Sequence, residues 1–111
     1  MPDSTIDMNT FSELQEAAGA DFVAELVATF LEEAPAMLAE LHATQAGQSA
    51  DAFRRAAHSL KSNSQTFGAT RLGELARSLE LGGLTGDAAP IDALDAEYQR
   101  VAAALKELTH G

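Results

Sequence analysis

The sequence predicts an all-α protein, an antiparallel up-down four-helix bundle with a short extra helix at its N-terminus. Hydrophobic residues make up 46% of the 111 residues, but aromatic residues only 5%, and tryptophan is absent. Such a composition favours close-packed helices over a sheet or sandwich. Four long segments carry apolar residues at the three- and four-residue spacing of a helix face, and short connections make consecutive helices antiparallel. At this length, residues 1–111 form one domain.

The N-terminal part is predicted to contain a loose segment and one short helix. Residues 1–9 are expected to be loose, with Ile6 attached to the bundle. The helix begins at Thr10, because Thr10 and Glu13 have the spacing of a capping box. Gly19 ends it.

The second helix is predicted to run from an Asp21 cap to about Gln45, before Gly47. Pro35 lies inside this run and removes one backbone hydrogen bond, so we expect a single kinked helix rather than two shorter ones. Its expected apolar face is Phe22, Leu26, Phe30, Met37 and Leu41.

The third helix, about residues 50–67, has the clearest periodicity, and Gly68 is its predicted stop. Its apolar residues are spaced 4, 3, 4 and 3 along one seam, which faces the core. The seam consists of Phe53, Ala57, Leu60, Ser64 and Phe67.

Two further helices complete the predicted bundle. Thr70 caps the fourth, which ends at Gly82 and Gly83. Pro90 lies in the first turn of the fifth, where proline is well tolerated. The inward residues are Leu72, Leu75, Ala76 and Leu79 in the fourth helix, and Ile91, Leu94, Tyr98, Val101, Leu105 and Leu108 in the fifth.

Composition excludes several classes of function. The absence of cysteine excludes disulfides, thiolate nucleophiles and cysteine metal sites. No apolar run approaches the ~20 residues of a membrane span, and the N-terminus lacks the features of a signal peptide, so a cytoplasmic protein with no membrane partner is expected. A net charge of −10 argues against nucleic-acid binding.

The charge is unevenly distributed. Residues 54–77 contain five basic residues and one acid, whereas the remainder contains two basic residues and sixteen acids. A basic island in an acidic chain suits one anionic group or one acidic partner surface.

That island surrounds His58. At 100° per residue, His58 projects away from the core seam and is predicted to be exposed. Arg54, Lys61 and Gln65 lie to one side of it, and Arg55 and Ser62 to the other. A neutral imidazole is a usable nucleophile at neutral pH, and the neighbouring Lys61 ammonium would offset phosphoryl charge.

The segment 58–69, HSLKSNSQTFGA, resembles the signature of the histidine phosphotransfer (HPt) family. That signature runs His, any residue, Leu, Lys, Gly, any residue, Ser, three positions, Gly, Ala. Five residues match at the family's spacing from His58, namely Leu60, Lys61, Ser64, Gly68 and Ala69. Ser62 departs from the usual glycine, but it is small enough for a partner to approach.

The resemblance implies a phosphorelay intermediate, a phosphoryl carrier rather than an enzyme. His58 accepts the phosphoryl group and Lys61 supports it electrostatically. Arg54, Arg55, Ser62 and Gln65 are candidate partner contacts. The expected partners are response-regulator receiver domains, a hybrid sensor histidine kinase, or both, docking through the second and third helices. The receiver supplies the aspartate and Mg²⁺, so the chain itself needs no cofactor.

Other functions are compatible with parts of the sequence. A non-catalytic adaptor bundle would dock without accepting phosphate. A metal-binding bundle is disfavoured, because neither His42 nor His58 follows a glutamate by three residues, and no metal site is predicted. ATP-dependent kinase activity is not expected, because no glycine-rich phosphate loop is present. A freestanding monomeric relay and a domain excised from a larger kinase both fit, as do both directions of phosphoryl flow.

Overall fold

A computed structural model describes residues 5–84 and 87–110 of the chain. These residues contain helices and no β-strand, which confirms the all-α prediction. The helices are α1 (Met8–Ala18), α2 (Ala20–Gly47), α3 (Ala50–Thr66), α4 (Thr70–Gly82) and α5 (Ala89–His110).

The four long helices close into a bundle. Helix α3 packs between α2 and α4, and α5 contacts both α4 and α2, so the helices are arranged in chain order around one core. The short helix α1 packs on α2 and α3. The predicted four-helix bundle with an extra N-terminal helix is confirmed. No helix in the described ranges combines the length and apolarity needed to cross a bilayer.

The N-terminal segment is better ordered than predicted. Residues 1–4 lie outside the described residues, but Thr5 and Ile6 are buried. The Asp7 N–H donates a hydrogen bond of 2.7 Å to the carbonyl of Gly68, which ties this segment to the end of α3. Ile6 is attached to the bundle as predicted, whereas the prediction of a loose segment is wrong for residues 5–9, because the hydrogen bond from Asp7 and the start of α1 at Met8 hold these residues in place.

Helix α1 begins at Met8 instead of Thr10. Asp7 is its N-cap, and the Asp7 carboxylate accepts hydrogen bonds from the Asn9 N–H at 3.1 Å and the Thr10 hydroxyl at 2.9 Å. The predicted Thr10 capping box is wrong, because an aspartate three residues earlier already satisfies the helix start. Gly19 ends the helix, as predicted.

Two other predicted caps are also wrong. Helix α2 starts directly after Gly19, which has a φ of +92°, and Asp21 lies in its first turn. The N-cap of α4 is Ala69, while Thr70 is the first helical residue and makes only a long hydroxyl contact of 3.4 Å to Gly68. The residues that precede these two helices, Gly19 and Ala69, have no side chain that can form a capping hydrogen bond.

The core seam of α2 is rotated from the predicted one. Phe22, expected inside, is 51% exposed, whereas the adjacent Val23 is fully buried. Leu26 and Met37 are only partly buried and pack at the edge of the core. Phe30 and Leu41 are buried as predicted, and the other buried residues of the seam are smaller than the predicted ones, namely Val23, Val27, Ala34, Leu38 and Thr44.

Pro35 lies within one continuous helix, in agreement with the single-helix prediction. Proline has no N–H, so the carbonyl of Leu31, four residues earlier, loses its helical donor. The Tyr98 hydroxyl of α5 lies 3.5 Å from that carbonyl oxygen and donates to it. A side chain from a neighbouring helix thus partly replaces the missing hydrogen bond.

The remaining core follows the predicted pattern, except that Leu75 and Leu108 are only partly buried. All five seam residues of α3 are buried, and the Phe30 ring lies 5.4 Å from Phe67 and 6.1 Å from Tyr98, centroid to centroid. Helices α4 and α5 are also joined by a buried carboxylate. Glu97, 2% exposed, contacts Arg100 at 2.6 Å and Arg71 of α4 at 3.6 Å.

Candidate functional site

His58 lies on the outer face of α3. Its side chain is 58% exposed, because the buried seam on the opposite face fixes the rotation of the helix. The ring can therefore be reached by a group on another protein. The helical projection predicted this exposure from the sequence.

A carboxylate from the next helix holds the imidazole. Oε2 of Glu80, near the end of α4, lies 2.8 Å from Nδ1 of His58. Oε1 of the same carboxylate lies 2.8 Å from the Lys61 ammonium. Glu80 therefore joins both residues, and its side chain and that of Lys61 are mostly covered, at 17% and 20% exposed.

This contact determines which ring nitrogen carries the proton in the neutral imidazole. A carboxylate only accepts hydrogen bonds, so Nδ1 of a neutral His58 carries the proton and donates it to Glu80. The lone pair then resides on Nε2. Nε2 is thus the ring nitrogen with a free lone pair on the exposed side of the contact, and the hydrogen bond ties the ring to α4.

The same contacts stabilise the ionised form of Glu80. The Lys61 ammonium, and after it the His58 imidazole, lower the pKa of the Glu80 carboxyl below its ordinary value, and partial desolvation opposes them. A depressed pKa means that these contacts stabilise the fold above the ordinary pKa and are lost as the pH falls through the lowered one. At neutral pH the Glu80 carboxylate is charged.

An NMR titration of the Glu80 side-chain carboxyl carbon checks this. We expect its midpoint to lie below the ordinary value for a glutamate side chain. Replacing Lys61 by Ala removes the largest stabilising contact and should move the midpoint upward. An unchanged midpoint in Lys61→Ala would contradict the ion pair.

The two arginines predicted beside His58 lie on its N-terminal side. Arg54 and Arg55 are exposed and, with His58, Ser59 and Glu80, line an open depression. Arg54 also contacts Asp51 at 3.3 Å. The depression has a basic rim on one side of the imidazole, where an anionic group could be bound.

Ser62 and Gln65 are exposed on the C-terminal side. Ser62 is one turn from His58, but Gln65 is two turns away, about 10 Å along the axis. The side chain of Gln65 packs against α4, since a Cβ added to Gly73 would lie 3.4 Å from Cγ of Gln65. The arginines line the same depression as His58 and Lys61 shares the Glu80 carboxylate with it, whereas Gln65 has neither relation to the ring.

A shallow groove between α2 and α3 adjoins the depression. Arg55 and Ser59 line both, so the two surfaces are continuous. The groove is lined by Ala36, Met37 and Glu40 of α2 and by Ala52, Arg55, Ala56 and Ser59 of α3. Its small side chains leave room for a partner element beside the histidine.

Glu80 was missed in the sequence, because it lies 22 residues from His58 and outside the basic island. It follows Leu79, an inward residue of α4, by one position. The sequence did offer one signal, since Glu80 lies next to the apolar seam of a helix that packs on α3. The structure was needed to show that its side chain reaches His58.

The chain is similar in sequence and in fold to known phosphotransfer domains. A family model described as the Hpt domain matches residues 25–104. The fold is similar to the crystal structure of histidine-containing phosphotransfer protein B from Pseudomonas aeruginosa PAO1, with a TM-score of 0.88 and 27% sequence identity. That match covers 98% of this chain and 97% of the other. No functionally curated protein matches the sequence.

Proposed function

The chain belongs to the Hpt domain family, and on this premise we propose that His58 accepts a phosphoryl group from a receiver aspartate and donates it to another. Hpt domains are phosphocarrier modules of two-component phosphorelays rather than kinases. The observation that carries the proposal is the exposed imidazole whose Nδ1 is held by Glu80 beside Lys61.

The transfer is a single displacement at phosphorus. Nε2 of His58 attacks the phosphorus of the aspartyl phosphate, an N–P bond forms, and the bond to the aspartate oxygen breaks as the carboxylate leaves. The phosphorylated ring becomes a cation that keeps its Nδ1 proton. The Glu80 carboxylate, 2.8 Å from Nδ1, stabilises that charge. The reverse displacement returns the group to an aspartate.

Lys61 has two anionic partners in this scheme. It contacts Glu80 in the free protein and lies one helical turn from His58, within reach of phosphoryl oxygens. The Lys61 ammonium stabilises the Glu80 carboxylate in the free protein, and it can also stabilise the phosphoryl oxygens when His58 is phosphorylated. The Mg²⁺ that phosphoryl transfer requires is expected on the receiver domain.

Docking is assigned to the groove between α2 and α3. A receiver element seated there would place its aspartate over the adjoining depression, with Arg54 and Arg55 at the rim and Ser62 allowing close approach. Gln65 is a more distant contact. The natural partners in this proposal are response-regulator receiver domains or the receiver of a hybrid kinase, in the cytoplasm.

Replacing Lys61 by Ala should slow transfer and shorten the lifetime of the phosphohistidine. Loss of one charge-assisted contact of ~1.5–3 kcal/mol corresponds to a rate decrease of roughly ten- to a hundredfold. Quench-flow kinetics with a phosphorylated receiver measure this. Lys106→Ala, on α5, is the control and should behave like the wild type. Equal rates for the two variants would remove Lys61 from the mechanism.

We also expect the protein to act as a monomer. The apolar seams of the four long helices face one another in a single core, and each of the large apolar side chains Met8, Phe22 and Leu81 is exposed on a different helix. Analytical ultracentrifugation at micromolar concentration should give a single species of 11.6 kDa. A dimer at that concentration would contradict the expectation.

The direct test is incubation of the chain with a phosphorylated receiver domain and Mg²⁺, followed by mass spectrometry under conditions that preserve acid-labile phosphate. We expect one phosphoryl group per chain, on His58, with a matching loss from the receiver. A folded chain that binds receivers but never acquires the label would favour the adaptor function instead.

A further inference from the structure

A second cluster of chemically active side chains joins α2 to α5. Nε2 of His42 lies 2.7 Å from Oδ2 of Asp95. Asp92 lies one turn before Asp95, and one ligand atom from each of the three residues lies within 4.8 Å of the others. We propose that His42, Asp92 and Asp95 bind a divalent transition-metal ion of the Zn²⁺ type.

The spacing suits such an ion after small side-chain movements. Ligands of a tetrahedral Zn²⁺ lie about 2.0–2.1 Å from the metal and therefore roughly 3.3 Å from one another. The His42–Asp95 contact at 2.7 Å must open slightly, and the other separations, which lie within 4.8 Å, need close by no more than about 1.5 Å. The His42 and Asp95 side chains are 41% and 37% exposed. Solvent can thus supply the fourth ligand.

The charge around the cluster independently favours a cation. Two aspartates face one imidazole, and α2 contains no lysine or arginine to offset them. On α5, Arg100 is bound to Glu97 at 2.6 Å. Lys106 is 11 residues beyond Asp95, about 16 Å along the helix. A bound cation would supply the positive charge that α2 and α5 lack near the two aspartates.

The donor set selects the class of ion. One imidazole nitrogen with two carboxylates suits Zn²⁺ and its first-row neighbours, whereas Mg²⁺ and Ca²⁺ prefer oxygen ligands throughout. The cluster lies between α2 and α5, whereas His58 and Glu80 lie on α3 and α4. The metal site is therefore separate from the phosphotransfer site, and it links the second helix of the bundle to the last.

Isothermal titration of the full chain with ZnCl₂ tests the proposal. We expect one Zn²⁺ per chain with a micromolar Kd, and no binding of Mg²⁺ at the same concentrations. His42→Gln and Asp95→Asn should each weaken binding at least tenfold. Asp21→Asn, an exposed carboxylate at the other end of α2, is the matched control and should bind as the wild type does.

A melting experiment gives the second readout, because an ion that bridges two helices stabilises the folded state. Zn²⁺ should raise the Tm of the wild type and of Asp21→Asn, but not that of His42→Gln, with circular dichroism showing that each variant is folded. A wild-type Kd above about 1 mM would overturn the proposal. So would binding that survives His42→Gln but is lost in His58→Gln, because the ion would then be held at His58 and Glu80.

Discussion

His58→Gln is expected to abolish phosphoryl acceptance completely while leaving the fold intact. Glutamine cannot form the N–P bond, because its amide nitrogen has no available lone pair, so no residual transfer through this position is possible. The side chain is 58% exposed, and its one polar contact, to Glu80, is at the surface. We therefore expect the free energy of unfolding to change by less than ~1 kcal/mol.

Two measurements on the same sample check this prediction. Phosphate-preserving mass spectrometry should detect no label after incubation with a phosphorylated receiver, and thermal melting by circular dichroism should give nearly the wild-type Tm. His42→Gln is the histidine control and should accept the label normally. Labelling of His58→Gln would place the acceptor elsewhere, and a globally unfolded variant would contradict the exposed position of His58.

Gly68→Ala should cause the largest loss of stability among glycine-to-alanine changes at the glycines that the structure describes. Gly68 has a φ of +80°, a region that costs an alanine about 1 kcal/mol or more. A Cβ there would also lie 2.7 Å from the backbone oxygen of Asp7. The N-terminal segment must shift, which breaks the 2.7 Å hydrogen bond between Asp7 and Gly68 and exposes Ile6.

Together these effects should lower the free energy of unfolding by about 2–4 kcal/mol, or the Tm by roughly 10 °C or more. Chemical denaturation measures the change. Gly82→Ala is the matched control, because a Cβ on Gly82 meets nothing within 4 Å and Gly82 is helical, so this variant should equal or exceed the wild type in stability. If both variants unfold at the same denaturant concentration, the tie between residue 7 and residue 68 is not important for stability.

The long helices could be predicted from the sequence because each carries an uninterrupted apolar period. The seam of α3 is the clearest case, and its rotation alone determined that His58 is exposed. Helix starts were less predictable. Thr10, Asp21 and Thr70 all have favourable capping side chains, but competition from Asp7 and the tight turns at Gly19 and Gly68 decided where the helices begin.

The candidate site was only half predictable, for a related reason. His58 and Lys61 lie on one helix, so their relation follows from helical geometry. Glu80 reaches them from α4, and no local pattern specifies which exposed carboxylate of a neighbouring helix faces a given side chain. Phe22 illustrates the same limit in the core, since a shift of one residue in the seam buries Val23 instead.

The residues proposed for the chemistry and part of the groove proposed for docking lie on different helices, so the two can change independently in evolution. The proposed reacting atoms and their support, on His58, Lys61 and Glu80, all belong to the hairpin of α3 and α4, whereas Ala36, Met37 and Glu40 of α2 line one wall of the groove proposed for docking. After gene duplication, substitutions on that wall can change which partner fits without displacing an atom of the chemistry. A duplicated copy can thus acquire a new pathway through α2 alone.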